Sequence, residues 1–289
     1  MEPTLPGAIS RLSWRGPCLS CAQHRHVIDV NTVGFDVLDR AKLVEHVDRF
    51  VACGGSHVVH FLAAHPTVAA REVPRYRELL NSGDLVVADG TPIALLMRAR
   101  SRAARRLTST DGFLELCAAG SARGIGHYFI GGASEEVATL FLRALRARYP
   151  SLSVAGFRVP PFRPYEGEEV ATLAAEIRAA NAQIVWIGLG APKQDLLAHR
   201  LRVHEAAPVI ACIGATFDFV AGTKRRAPKA MRALGLEWLY RFGAEPKRLG
   251  RRYVVGNTRF VLGVCHDYLT STRRQPSAAR SVGAGGLGR

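Results

Sequence analysis

Apolar runs of four to six residues recur along this chain, and several end in a glycine-bearing polar corner that opens a helix. The most telling is residues 184–200, IVWIGLGAPKQDLLAHR. Its first five residues, 184–188, read as a fully buried strand. Gly188 and Gly190 break the strand, Pro192 presets φ for a tight connection, and Gln194 and Asp195 open a helix with Leu196, Leu197 and Leu201 on one stripe. Lys193 and Gln194 then stand at the carboxyl edge of a strand beside a helix N-terminus. In open α/β sheets that is where ligands bind, and phosphate suits it. An ordinary strand–turn–helix corner has the same pattern, so one corner alone decides nothing.

A second corner is built the same way. The apolar strand 85–87 follows the turn Asn81-Ser82-Gly83-Asp84 and runs into Ala88-Asp89-Gly90-Thr91-Pro92, then into the helical stretch 93–97. Asp89 sits at the strand end, before a glycine that permits close backbone approach. A carboxylate there serves either as a helix N-cap or as a catalytic group. A third junction, Gly131-Gly132 followed by Ser134 and Glu135, has the style of a phosphate site, with Ser134 as N-cap the plainer reading. It is shorter than G-x-G-x-x-G and lacks a matching acid, which argues against dinucleotide binding.

Along the chain, strands are expected at 26–30, 57–62, 85–87, 127–130, 152–157, 183–188 and 208–213. Helices are expected at 39–53, 66–81 (with Pro74 a boundary or kink), 91–100, 110–123, 135–149, 166–180 and 193–204. A loop then runs to Pro228, with further helices beyond. This alternation predicts a mostly parallel sheet flanked by helices. The divisions read as a disordered leader, 1–26; an α/β core, 27–235; a helical basic appendage, 236–270; and a disordered basic tail, 271–289.

The net charge of +15 favours anionic partners. From Arg241 onward there are ten Arg and Lys against two acids, Glu245 and Asp267. In 236–264 the Arg residues interleave with Trp238, Leu239, Tyr240, Phe242, Tyr253 and Phe260, the composition of an interfacial amphipathic segment. No nucleic-acid recognition motif occurs, so that class is set aside. No apolar run is long enough to span a bilayer, and the N-terminus has no secretory h-region; a cytoplasmic protein is expected. Cys117 and Cys212 read as reduced core residues. Cys18-x-x-Cys21, with His24 and His26, has a spacing that can hold zinc.

The stretches DLVVADGTPIALLMR (84–98), TDGFLELC (110–117), HYFIGGASEEVA (127–138), YPSLSVAGFRVPPF (149–162), IVWIGLGAPKQD (184–195) and the long IGATFDFVAGTKRRAPKAMRALGLEWLYRFGAEPKRLGRRY (213–253) cover most of residues 27–260. In them the chain resembles the WecG/TagA/CpsF glycosyltransferases, which attach a sugar to a lipid-linked acceptor in bacterial envelope polymer synthesis. The resemblance implies a Rossmann-like fold and transfer of a hexose or N-acetylhexosamine, of N-acetylmannosamine type, from a UDP-sugar to a polyprenyl-diphosphate-linked acceptor. It also implies work at the inner face of the cell membrane, reached through the C-terminal segment, with a homo-oligomer possible. Exopolysaccharide hexosyl transfer, or a nucleotide-sugar-binding protein with impaired catalysis, are the alternatives.

By motif position, the resemblance makes Asp89 the general base and Arg241, Arg248 and Arg251 the side chains that close over the diphosphate. It places Gly90, Asp111, Gly131, Gly132, Gly190, Lys193, Gln194, Phe217, Asp218 and Gly222 around the substrates. Asp111 also reads as a helix-start residue. No D-x-D pair for Mg²⁺ occurs, so Arg, Lys and helix N-termini are expected to stabilise the diphosphate without metal. Two positions depart from the family pattern. Phe61-Leu62-Ala63 stands where a Thr-x-Asn usually lines the acceptor side, flanked by His60 and His65, and Ser109 replaces a usual Gly.

Overall fold

The structure is a computed structural model and describes residues 25–271 apart from Leu234 and Glu245. The side chains of residues 229, 233, 241, 244, 246–249, 251–254 and 271 lie outside that description. So do Cys18, Cys21 and His24, and with them the possible zinc site.

Six strands form one parallel sheet: β3 (His57–Leu62), β4 (Leu85–Ala88), β5 (Gly126–Ile130), β6 (Ser153–Arg158), β7 (Ile184–Ile187) and β8 (Val209–Cys212). Their spatial order is β4-β3-β8-β7-β5-β6, with every neighbouring pair parallel. The apolar character of these runs follows from burial on both faces: β3, β4, β5, β7 and β8 are buried along their whole length. The register Leu62↔Ala88, with Ile187↔Cys212 and Ile130↔Ile187, brings the carboxyl ends of five strands to one edge. The corners singled out in the sequence therefore face one another across that edge.

Helices cover both faces. On one, α1 (Arg40–Cys53), α5 (Ser109–Ser121) and α6 (Glu135–Arg148) pack Leu43, Phe50, Phe113, Leu116, Phe141 and Leu145 against Val59, Phe129, Trp186 and Ala211. On the other, α7 (Glu168–Ala179) and α8 (Lys193–Val203) pack Leu173, Ile177, Leu197 and Leu201 against Tyr128, Val185, Ile187 and Ile210. The segment 66–81 is two helices, α2 (Ala64–Glu72) and α3 (Pro74–Asn81), divided at Val73-Pro74, as a proline that disfavours helix in its predecessor requires. Next come α4 (Thr91–Arg100), the short α9 (Thr216–Val220), α10 (Lys229–Ala233), α11 (Glu237–Ala244) and the long α12 (Pro246–Ser271).

Two elements differ from the sequence expectation. Residues 27–36 form an antiparallel hairpin, β1 (Val27–Val30) and β2 (Val33–Asp36), separate from the main sheet; only its first strand was legible. Its two-residue turn, Asn31-Thr32, holds φ of 51° and 73°, the left-handed pair such a turn needs, but Thr is an unusual residue for it. The connection between β8 and Pro228, expected as loop, contains α9.

The helix α12 joins the core. Phe260 is 3% exposed and belongs to an apolar cluster with the hairpin, α2, α3 and α4. Arg71 on α2 pairs with Asp267 at 2.8 Å and Arg259 with Glu72 at 2.7 Å. At Gly263 a Cβ would stand 2.3 Å from Asn31 Oδ1, so a glycine is what lets α12 lie against the hairpin turn. No described helix is long and apolar enough to cross a membrane.

Candidate active site

The strand ends open onto a cleft of about 1210 Å³, roofed on one side by α12 through Gly256, Asn257, Phe260, Val261 and Val264. Asp89, Gly90, Gly132, Gly190, Lys193, Gln194, Phe217 and Asp218 all line it. A volume of this size takes a nucleotide-sugar with part of a second substrate.

Asp89 lies immediately after β4, half-buried, with its amide donating to the Leu62 carbonyl at 3.0 Å. It does not cap the helix that follows: the N-cap of α4 is Gly90, with no side-chain capping bond. Ser109, the first residue of α5, lines the same cleft. Burial pushes the Asp89 carboxyl above the ordinary carboxylate range; Glu237 adds to the rise, while Arg106 and the Ser109 hydrogen bonds oppose it. A carboxylate raised in this way is a better base.

Arg106 was visible in the sequence only as part of a basic link, and the structure brings it into this corner. Its Nε donates to the Asp89 carbonyl at 2.8 Å and its Nη2 to Glu237 at 2.8 Å, joining the strand end to α11. Further cations line the same cleft. Lys224 pairs with Asp218 at 2.8 Å, Arg200 donates to the Tyr165 carbonyl at 2.6 Å, and Lys193 opens α8. For Lys224 the signal in the sequence was the basic run 224–226, in a loop read for Phe217, Asp218 and Gly222.

Gln194 is 3% exposed, and its Oε1 accepts the amides of Gly190 at 3.1 Å and Gly214 at 3.0 Å. One side-chain oxygen thus ties together the loops after β7 and β8, and a ligand can meet only the carboxamide nitrogen. Lys193 projects from the same helix start.

Several expected ligand residues have other partners. Asp111 is absent from the cleft lining: Arg226 pairs with it at 3.1 Å and Arg232 lies 3.9 Å away. Burial pushes its carboxyl up, but hydrogen bonds with Thr108 and Arg226 prevail and hold it below the usual range. A Cβ at Gly131 would lie 2.6 Å from the Phe217 ring, so this glycine makes room for a buried aromatic. Gly222 turns the chain after α9 with φ of 77°. Arg241 lies on α11, and Arg248 and Arg251 on α12; their side chains are outside the description. At the end of β3, Phe61 packs against Gly112, where a Cβ would come within 2.7 Å of its ring, and Ala63 packs on Gly90. The end of the strand thus presents carbon to the cleft at Phe61 and Ala63.

Three hydroxyls cluster where the start of α5 meets α9. Thr216 Oγ1 donates to the Ile213 carbonyl at 2.9 Å and lies 3.3 Å from both Ser109 Oγ and Thr110 Oγ1. Below the cleft, Asp195 is fully buried. It accepts from Tyr76 Oη at 2.7 Å and bonds His60 Nδ1 at 2.9 Å, while His60 Nε2 meets His199 Nε2 at 3.1 Å. His60, Asp195 and Cys212 place three donor atoms within 4.8 Å of one another. The hydrogen bonds made by Asp195 and His60 tie α8 to β3 and, through Tyr76, to α3.

A parallel α/β sheet whose cationic cleft lies at its carboxyl edge belongs to the phosphate- and nucleotide-handling class of folds. The glycosyl transferase WecG/TagA/CpsF family model matches residues 28–274, and the chain belongs to that family of glycosyltransferases. It is 28% identical over 229 residues, 78% of this chain and 87% of the relative, to the N-acetylglucosaminyldiphosphoundecaprenol N-acetyl-beta-D-mannosaminyltransferase of Staphylococcus aureus strain NCTC 8325 / PS 47. The protein of the same name from strain COL matches to the same extent.

Proposed function

We propose that the chain transfers an N-acetylhexosamine or hexose from a UDP-sugar to a sugar carried on a polyprenyl diphosphate, with inversion and without metal, in envelope polysaccharide synthesis. The observation that carries this reading is the place of Asp89: a carboxylate raised by burial, at a strand end, in a cleft that Arg106, Lys193, Arg200 and Lys224 also line. The names of the staphylococcal relatives supply the acceptor chemistry, a diphosphoundecaprenol-linked sugar.

In this reading Asp89 takes the proton of the acceptor hydroxyl as that oxygen attacks the anomeric carbon, and the sugar–diphosphate bond breaks. The leaving diphosphate gains one negative charge on the oxygen released from the anomeric carbon, which Lys193, Lys224, the helix N-termini and the arginines of α11 and α12 stabilise. Trp238 and Leu239 on α11 and Val261, Leu262, Tyr268 and Leu269 on α12 are exposed apolar side chains. Among basic neighbours they suit the surface of an anionic membrane at its cytoplasmic face.

Asp89→Asn tests the reading, since it keeps the shape and removes the base. Turnover should fall by roughly 10²–10⁴ while UDP-sugar binding, followed by calorimetry, persists. Unchanged turnover would remove Asp89 from the chemistry.

A further inference from the structure

We propose that Cys53 is a reactive thiol, a modification site for low-molecular-weight disulfides, with His57 as its base and Asp84 as the group that orients the base.

The site lies at the edge of the sheet opposite the cleft. Cys53 ends α1, Gly54 and Gly55 follow, and His57 opens β3. The six residues of β3 put roughly 20 Å between His57 and the strand ends that carry the transfer site. Asp84 comes from the turn before β4, and the parallel pairing of β3 with β4 sets it beside the start of β3.

Three side chains stand in line there. Cys53 Sγ is 3.3 Å from Nε2 of His57. Nδ1 of the same ring is 3.3 Å from Oδ1 of Asp84. A nucleophile within reach of a base, and a base oriented by a third group, is the arrangement by which an imidazole activates a thiol. The base and its orienting group are held from outside the line. Phe50, on α1, stacks on the His57 ring with centroids 4.3 Å and planes 11° apart. The Val58 amide donates to Oδ2 of Asp84 at 2.9 Å, and Arg202 of α8 lies 3.3 Å from that oxygen. Both contacts use Oδ2, so Oδ1 is the oxygen that faces the imidazole. His57 and Asp84 are each 3% exposed, while Cys53 is open to solvent.

The line also places the proton. A carboxylate only accepts, so an N–H at Nδ1 faces Asp84 and the lone pair of Nε2 faces Cys53. The carbonyl oxygens of Phe50, at 3.7 Å, and Gly54, at 3.5 Å, lie within reach of the S–H, but a carbonyl does not take the proton and Nε2 does. Once there, it has the Gly54 carbonyl at 3.2 Å and the thiolate at 3.3 Å. The C-terminal end of α1 carries about half a negative charge, which disfavours a thiolate and favours an imidazolium. Its effects on the two partners oppose each other, and the full charge of the imidazolium beside the sulfur decides.

The approach to the sulfur is open: a Cβ at Gly54 or Gly55 would meet nothing within 4 Å. Such a surface suits a small reagent. The thiolate attacks one sulfur of the disulfide, a new S–S bond joins it to Cys53, and the old S–S bond breaks. The departing thiolate takes the proton from Nε2 of His57 and leaves as a thiol. The Cys53 sulfur is oxidised and the departing sulfur reduced.

The test treats the reduced full-length chain with glutathione disulfide at pH 7 and follows each cysteine by peptide mapping and mass spectrometry. Cys265 is also exposed and serves as the reference within the same molecule. A cysteine without such partners is only a few per cent thiolate at this pH, so Cys53 should form its mixed disulfide roughly tenfold faster than Cys265. His57→Phe keeps an aromatic ring beside Phe50 and should lower the Cys53 rate roughly tenfold with the Cys265 rate unchanged. Asp84→Asn keeps an acceptor for the Val58 amide and turns an amide nitrogen toward Nδ1, which leaves the proton on Nε2 and should cost a similar factor. Equal rates at Cys53 and Cys265 in the wild-type chain would overturn the proposal, as would a Cys53 rate unmoved by His57→Phe. If His57→Phe opens the buried Cys117 and Cys212 to the reagent, its fold is lost and Asp84→Asn decides, a wild-type Cys53 rate in that variant being the refuting result.

Discussion

Replacing Gln194 by Leu gives the most quantitative check on how the cleft is held. The substitution keeps the side chain close to its original volume and removes Oε1, the acceptor for the amides of Gly190 and Gly214. A buried amide left without an acceptor costs about 1–3 kcal/mol. Both glycines are only partly covered, so the lower half of that range applies to each, about 2–4 kcal/mol in all. For a chain of this size 1 kcal/mol moves the melting temperature by about 2–4 °C, which puts the expected fall on the order of 10 °C. Gly190 and Gly214 hold φ of 74° and 56°, and without the shared acceptor their loops lose a fixed conformation at the cleft wall. UDP binding should therefore weaken along with the melting temperature. Thermal unfolding by circular dichroism and calorimetric titration of UDP measure the two effects. A melting temperature within about 1 °C of wild type, with unaltered UDP affinity, would refute the idea that Gln194 staples the loops.

Three other outcomes are expected. Transfer should survive EDTA, because the cleft offers cations for the diphosphate; activity lost with chelator and restored by Mg²⁺ or Mn²⁺ would reveal a metal requirement. His127 is buried, accepts from Trp186 Nε1 at 2.9 Å and has its pKa lowered to about 4. The unfolded chain takes up this proton near pH 6.5 and the folded one near 4, so stability falls as pH drops through that window, by about 2 kcal/mol at pH 5, a slope that denaturant melts of His127→Phe should lack. Ending the chain after Gly235 should leave the sheet folded but expose the site of Phe260, a loss of about 1.5–3 kcal/mol, and should abolish transfer; a truncated chain that transfers at the full rate would reduce α11 and α12 to an anchor.

The main sheet was legible because five of its strands are short apolar runs bounded by polar corners, the pattern of strands buried on both faces. The break at Pro74 was legible for a covalent reason. The second hairpin strand was not, since VGFD is too short to show alternation and the turn uses Thr32 where Asn or Gly is expected. The glycines of the corners were found, but not their reasons: Gly131 yields space to Phe217, from a segment more than 80 residues away. The partners of Asp89 were equally hidden. That Arg106 reaches its backbone carbonyl depends on how the link after α4 returns to the end of β4, which no local pattern encodes.

The proposed reaction is tested most directly by offering the purified full-length chain a panel of radiolabelled UDP-sugars with a synthetic polyprenyl-diphosphate-linked N-acetylglucosamine, in the presence of anionic vesicles. Transfer of label from a UDP-N-acetylhexosamine or UDP-hexose to the lipid-linked acceptor, lost in Asp89→Asn, is the expected result. Failure of every UDP-sugar to label the acceptor, in a protein that binds UDP normally, would contradict it.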